Sequence, residues 1–240
     1  MIQLTNVTKK YLKRTALKDI SLTVPLGKII GVVGENGSGK STLLKLISGL
    51  SIPSSGSVTV NGEKANRRTG KVVSYSSDLG TFYPIFTVRE AMRFQASQFT
   101  DFNLAKAEEI MKLMQLDPHM KIKALSKGNR GRLQIVLTLA REVPYILMDE
   151  PLSGLDPMVR ESIVKGMISY LDLNSQTLIM TSHEVFEIET LIDGFIALKD
   201  GSLLRMADVD ELHESEGIRI ADWMKKTYIK RRGDYLYDEV

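Results

Sequence analysis

The chain opens with short runs of alternating apolar and polar residues. Ile2, Leu4 and Val7 are spaced for an extended segment, and Ile20, Leu22 and Val24 alternate strictly, so both stretches predict strands. From Lys28 to Gly34 the residues between the ends are apolar without a break, the mark of a strand buried on both faces. Leu43, Leu44 and Ile47 then recur at helical spacing within Lys40–Ser48. Pro53-Ser54-Ser55-Gly56 marks a turn, with strands predicted over Ser57–Val60 and Val72–Tyr75. Three helical patterns follow, over Val88–Ser97, Leu104–Leu116 and Asn129–Arg141, and predict a helical insertion at about 88–142. Strand and helix alternate again afterwards. Tyr145–Met148, Thr177–Met180 and Phe195–Leu198 read as strands, Asp156-Pro157 caps and opens a helix, and Glu184–Leu191 reads as another. This order predicts an α/β fold with a mostly parallel sheet covered by helices. Residues 1–207 form the main domain in this reading, and 208–240 a C-terminal helix and basic tail.

Composition narrows the class. Across 240 residues the hydrophobic share is 43%, the charged share 25% and the net charge +3, which excludes a disordered or fibrous chain and makes a nucleic-acid partner unexpected. With no cysteine there is no disulfide framework. No apolar run approaches the roughly 18 residues of a membrane span. The first residues, Met-Ile-Gln-Leu-Thr-Asn, also lack the form of a secretory signal. The expectation is a cytoplasmic chain whose membrane role, if it has one, runs through a separate partner.

Chemistry concentrates first at Gly34-Glu35-Asn36-Gly37-Ser38-Gly39-Lys40-Ser41-Thr42. This fits the phosphate-binding pattern G-x-x-x-x-G-K-[ST] and lies between a predicted buried strand and a predicted helix, the context that pattern requires. Its glycines let backbone N–H groups curl around phosphate oxygens, and the helix start adds its positive dipole end. Lys40 can reach β- and γ-phosphates, and Ser41 can offer its hydroxyl to Mg²⁺. The loop predicts nucleotide binding.

A second centre is the apolar strand Tyr145–Met148, which ends in Asp149-Glu150-Pro151. A strand of a parallel sheet brings its C-terminal end to the ligand crevice. Asp149 would then sit in the Mg²⁺ environment. Glu150, one residue on, would face the γ-phosphate and act on the attacking water.

With these motifs in order, the chain from Met1 to about Ala207 resembles the nucleotide-binding subunit of an ABC transporter. Leu125-Ser126-Lys127-Gly128-Asn129 occupies the place of the family signature, usually Leu-Ser-Gly-Gly-Gln. Ser153-Gly154-Leu155-Asp156 looks like the D-loop, and Thr181-Ser182-His183-Glu184 like the switch-histidine motif. The resemblance implies a P-loop NTPase fold with an N-terminal antiparallel β subdomain and an inserted α-helical subdomain. It implies ATP and Mg²⁺ as ligands, with Ser41, Asp78 and Asp149 around the metal. It also implies catalysis by Glu150, His183 and Lys40, and a dimer in which Ser126, Lys127, Gly128 and Asn129 meet the γ-phosphate held by the mate. That mate is a second copy or a homologous subunit. An integral membrane permease is the further partner, at the inner face of the cell membrane. Tyr11 stands where the family stacks an aromatic on adenine, and a tyrosine of the core is the alternative. Ser126, taken alone, is also a plain helix cap.

Several positions depart from the family pattern. Lys127 replaces the first signature glycine and Asn129 the glutamine, and Gly131 follows inside a predicted helix without an evident reason. Asp78 stands where glutamine or glutamate is usual, which shortens its reach toward a metal. The apolar stretch Leu79–Phe86 predicts either an exposed docking patch at Phe82, Tyr83 and Phe86 or rings folded into the core. The basic cluster Lys225, Lys226, Lys230, Arg231 and Arg232 is either lipid-facing or a solvated face. The signature lysine and the stretch from Tyr83 to Glu90 resemble exporters more than importers. The functional expectation is an ATPase that powers an exporter, with a regulatory ABC ATPase that moves no solute as the alternative.

Overall fold

The computed structural model describes residues 1–77 and 82–233, the side chains of 157–159, 161, 162, 187 and 228–233 excepted. Two sheets form its frame. The first is antiparallel, built from β1 (Ile2–Tyr11), β2 (Arg14–Val24), β4 (Ser55–Val60) and β5 (Glu63–Lys64) in the order β2-β1-β4-β5. Ile2 and Leu4 of β1 lie opposite Val24 and Leu22 on one side and Val60 and Val58 on the other. The alternation of the sequence thus becomes continuous apolar rows across three strands.

The second sheet has the order β10-β9-β3-β8-β7-β6. Its strands are β3 (Ile29–Val33), β6 (Val73–Ser76), β7 (Tyr145–Met148), β8 (Thr177–Ser182), β9 (Gly194–Lys199) and β10 (Ser202–Asp208). All neighbours pair parallel except β10, which returns antiparallel along β9. The central strands separate two cores, and their residues serve the two in turn. Ile29 and Val33, Ile146 and Met148, Leu178 and Met180, and Phe195 and Ala197 face one core. Ile30 and Val32, Tyr145 and Leu147, Ile179, and Ile196 and Leu198 face the other. Both faces are dry, so the apolar runs carry no polar interruption.

Helix α1 (Lys40–Ile47) fills the space between the sheets with Leu43, Leu44, Leu46 and Ile47. On the opposite face lie α2 (Val88–Gln98), α3 (Leu104–Leu113) and α4 (Lys127–Leu139), all inserted between the neighbouring strands β6 and β7. Each starts on a side-chain cap that satisfies a free N–H: Thr87 with Glu90 in a reciprocal box, Asn103, and Ser126. Helix α5 (Pro157–Ser169) follows β7. At the C-terminus, α6 (Val209–Glu216) and α7 (Ile220–Gly233) are seated by Val209, Leu212, Ile220 and Ala221 in the larger core. The Trp223 ring lies 5.7 Å from that of Phe195. Within the described residues, the expected tail therefore holds two helices seated on the core, with Lys225 and Lys226 described, while the side chains of Lys230, Arg231 and Arg232 and all of 234–240 lie outside the described residues. None of the described helices is long and apolar enough to cross a membrane.

One expected helix does not form. Over Glu184–Leu191 the chain makes only a 3-10 turn, Val185–Glu187, entered from extended backbone at Glu184. Ile188 and Ile192 instead seat over Gly31, where a Cβ would fall 2.9 and 2.8 Å from their terminal methyls. The demand for this close approach overrides the local helical spacing.

Arg141 joins the helical insertion to the sheet. Its guanidinium pairs with Asp101, donates to Gly70 O at 2.8 Å and lies 3.8 Å from the Phe99 ring centroid. Arg141→Ala should lower stability by about 2–4 kcal/mol by stranding a carboxylate and a carbonyl; urea denaturation followed by circular dichroism measures it.

Candidate active site

The strand β3 delivers the chain to the glycine loop, and α1 carries it away. Two glycines are sterically required. At Gly34 (φ +151) a Cβ would lie 2.3 Å from Leu198 O, and at Gly39 (φ +110) it would lie 2.6 Å from Leu17 Cδ2 and 2.7 Å from Ala16 O. Lys40 is 6% exposed. Its ammonium donates to Gly34 O at 2.8 Å and Glu35 O at 3.4 Å, and lies 3.5 Å from Glu150 Oε1. The Ser38 hydroxyl is buried within this loop without a protein partner. A loop with glycine backbone, a buried cation and an unused hydroxyl fits a phosphate chain.

The acidic residues arrive from β7, and their partners from β8 beside it. Asp149 Oδ1 accepts the Ser41 hydroxyl at 3.0 Å and the Thr181 hydroxyl at 2.8 Å. These are hard oxygen donors of the kind Mg²⁺ takes. Glu150 adopts φ +49, in the left-handed region uncommon for a side chain of its size. Its N–H donates to Thr181 Oγ1 at 2.8 Å, and its carboxylate spans from Lys40 to His183 Nδ1, the latter at 2.8 Å. Lys40, Ser41, Asp149, Glu150 and His183 therefore form one connected set.

Tyr11 lies at the rim of the same cleft as Asn36, Gly37, Gly39, Lys40, Ser41 and Thr42. It is 44% exposed, so it is not a residue of the core. Its hydroxyl meets Ser51 Oγ at 3.3 Å, and the Lys9 ammonium sits 4.7 Å from its ring centroid. Arg14, the hairpin partner of Tyr11, shares the cleft and donates to Gly37 O at 3.0 Å. Arg14 and Thr181 were not singled out from sequence. Their only signal there was position: one faces Tyr11 across a tight turn, and the other opens the Thr-Ser-His-Glu segment.

Ser126, Lys127, Gly128 and Asn129 do not line the cleft around the glycine loop. Ser126 caps α4, its Oγ accepting from Asn129 N at 3.2 Å, and its side chain is exposed. Gly128 packs on the segment ahead of Asp156, where a Cβ would sit 2.9 Å from Gly154 O. Lys127 lines a separate cavity with Asp149, Glu150 and Ser153. Nothing crowds Gly131, where a Cβ would meet only Ser153 O at 4.0 Å, and the structure does not explain that glycine. Asp78 lies outside the described residues. Of the apolar stretch, Phe82 and Phe86 are half-buried against the larger core, whereas Tyr83 and Ile85 are exposed at 57% and 73%. In a cavity that Phe82 also lines, the Tyr75 hydroxyl is buried without a partner, and burial together with the Asp149 charge pushes its pKa up.

Residues 17–153 match the family model of the ABC transporter. The chain belongs to this family and is an ABC ATPase. It is similar to the ABC transporter ATP-binding protein YtrB of Bacillus subtilis, at 31% identity over 89% of this chain and 74% of that protein. It is also similar to the osmoprotectant import ATP-binding protein OsmV of Salmonella typhimurium, at 31% identity over 88% of this chain and 60% of that protein. Among solved structures, a dimeric ATP-binding cassette in a post-hydrolysis state bound to ADP and Pi superposes with a TM-score of 0.77 at 26% identity, covering 87% of this chain and 98% of that one.

The crowding at Gly39 generates a direct test. Gly39→Ala should weaken MgATP binding by about tenfold or more, because the loop must shift to relieve the clash at a positive φ. Equilibrium binding of a fluorescent ATP analogue measures it.

Proposed function

We propose that this chain is the ATP-hydrolysing subunit of an ABC transporter, working as a pair of cassettes coupled to an integral membrane subunit. The observation that carries this reading is the position of Glu150. Its carboxylate is held between the buried Lys40 ammonium and His183, at the mouth of a loop suited to phosphate.

The geometry supports a sequence of exchanges. When a triphosphate enters the loop, its oxygens take over the Lys40 ammonium, now satisfied by Gly34 O, Glu35 O and Glu150. That exchange frees Glu150 from its ion pair to accept a proton from the attacking water. His183 keeps its hydrogen bond to Glu150 and orients the carboxylate toward the γ-phosphate. Ser41 and Asp149, with Asp78 as a third candidate, would hold Mg²⁺. When bound, the metal supplies charge neutralisation on the phosphate oxygens. Tyr11, exposed at the rim, offers its ring face to the adenine.

Ser126, Lys127, Gly128 and Asn129 open α4 and do not line the cleft of this chain's own glycine loop, and in this reading the helix start is offered to a phosphate held by a mate. The mate is a second copy or a homologous subunit. Asp156, exposed beside Ser153 and Gly154, would lie at the same interface. The membrane subunit would dock on Tyr83 and Ile85, placing the pair at the inner face of the membrane. Export is the proposed direction. It rests on the resemblance of Lys127 and the Tyr83–Glu90 stretch to exporters, since the relatives include an import protein.

Three variants test the scheme. Lys40→Ala should abolish measurable MgATP binding. Glu150→Gln should keep binding, lower phosphate release by roughly a hundredfold or more, and trap a dimer visible by gel filtration with ATP; hydrolysis at the original rate would remove Glu150 as the base. Ile85→Asp should leave folding and basal ATPase unchanged but prevent co-purification with the membrane subunit.

A further inference from the structure

We infer that Thr181 is the positioning residue for Glu150: its buried hydroxyl holds the Glu150 backbone in the left-handed conformation that aims the carboxylate between Lys40 and His183. The inference rests on the role proposed above for Glu150 and extends it to the residue that opens the Thr-Ser-His-Glu segment, to which no role was assigned from sequence.

The geometry is specific to the hydroxyl. Thr181 is 1% exposed, on the strand β8 between β7 and β3. Met148 and Met180 are in register, so Thr181 follows directly beside Asp149. The regular ladder stops there, because β7 ends at Met148 and the chain must turn. At that point the Thr181 oxygen replaces a main-chain acceptor. It accepts the Glu150 N–H at 2.8 Å and sends its own proton to Asp149 Oδ1 at 2.8 Å. One atom thus satisfies a buried N–H at the turn and orders the carboxylate that also receives the Ser41 hydroxyl.

The consequence for Glu150 follows from its backbone. At φ +49 a glutamate gives up its preferred conformations, and such a state persists only where surrounding bonds over-determine it. Two hydrogen bonds hold the backbone at that residue: its N–H donates to Thr181 Oγ1 at 2.8 Å, and its carbonyl accepts the Ser153 N–H at 3.1 Å; of the two, only the first comes from a side chain. Without it, Glu150 can relax to negative φ, and its carboxylate swings off the line between Lys40 and His183. Valine and alanine cannot supply this bond, whereas serine can.

The test uses the purified full chain and four variants: Thr181→Ser, Thr181→Ala, Thr181→Val and Glu150→Gln. Phosphate release at saturating MgATP gives kcat, displacement of a fluorescent ATP analogue gives the MgATP affinity, and thermal unfolding identifies the folded variants. Thr181→Ala and Thr181→Val should lose about ten- to a hundredfold in kcat while MgATP affinity stays within about threefold, and Thr181→Ser should stay within about threefold of the parent in both. If the valine variant does not fold, the serine and alanine variants decide the matter, since they differ only in the hydroxyl. A full-rate Thr181→Ala overturns the inference. So does a serine variant as slow as alanine, because packing would then be the cause. So does an affinity that falls in step with kcat. Glu150→Gln separates the two levels: if it hydrolyses at the parent rate, the Glu150 reading fails together with this one. If it is inactive while Thr181→Ala is fully active, only the role of Thr181 fails.

Discussion

The Lys40 ammonium is withdrawn almost wholly from water, and a charge in that position must be neutralised where it stands. Two carbonyls of its own loop and the Glu150 carboxylate do this. The arrangement is one that an incoming anion can exploit. A buried cation satisfied partly by neutral carbonyls still favours a denser negative charge, and a phosphate chain offers it. The loop cannot relax around the lysine, because Gly34 and Gly39 are pressed against Leu198, Leu17 and Ala16. Affinity for phosphate is thereby built into the packing of the two sheets.

The same interaction links binding to chemistry. Glu150 cannot serve both as the counter-ion of Lys40 and as a base for water. In the proposed function the nucleotide would decide between these roles by displacing it. The sheet makes the exchange possible, since β3, β8 and β7 run side by side and parallel, and their ends bring Lys40, His183 and Glu150 to one edge. Two dry faces hold those strands, so their ends have little freedom to wander.

The remaining surfaces look outward from this edge. The α4 start, capped by Ser126, is rigidly seated on the Ser153-Gly154 segment through Gly128. In the proposed reading the signature and the D-loop would thus be packed directly against each other. On the far side, the rings of Tyr83, Phe86 and Phe94 lie within 5.2 to 5.6 Å of one another, so the exposed Tyr83 stands on a stack rooted in the larger core. Through that stack Tyr83 touches Phe94 of the helical insertion.

Much of this was legible in the residues themselves. Apolar runs marked the parallel strands, helical spacing marked α2 to α4, Asp156-Pro157 marked the start of α5, and the spacing of glycines around Lys40 specified a phosphate loop, because each is a local property of backbone and side chain. Position in the chain alone could not reveal that Glu150 sits at positive φ, that Thr181 holds it there, or that Arg14 reaches Gly37 from a separate hairpin. Nor could it reveal that the residues after Glu184 give up a helix to cover Gly31, or that the tail is a helix anchored by Trp223 on Phe195. Those outcomes depend on which distant strand ends meet. Residue spacing determined the elements and the chemistry they could carry, whereas the register of the parallel sheet, imposed by burial on both faces, decided which of those groups come within hydrogen-bonding distance.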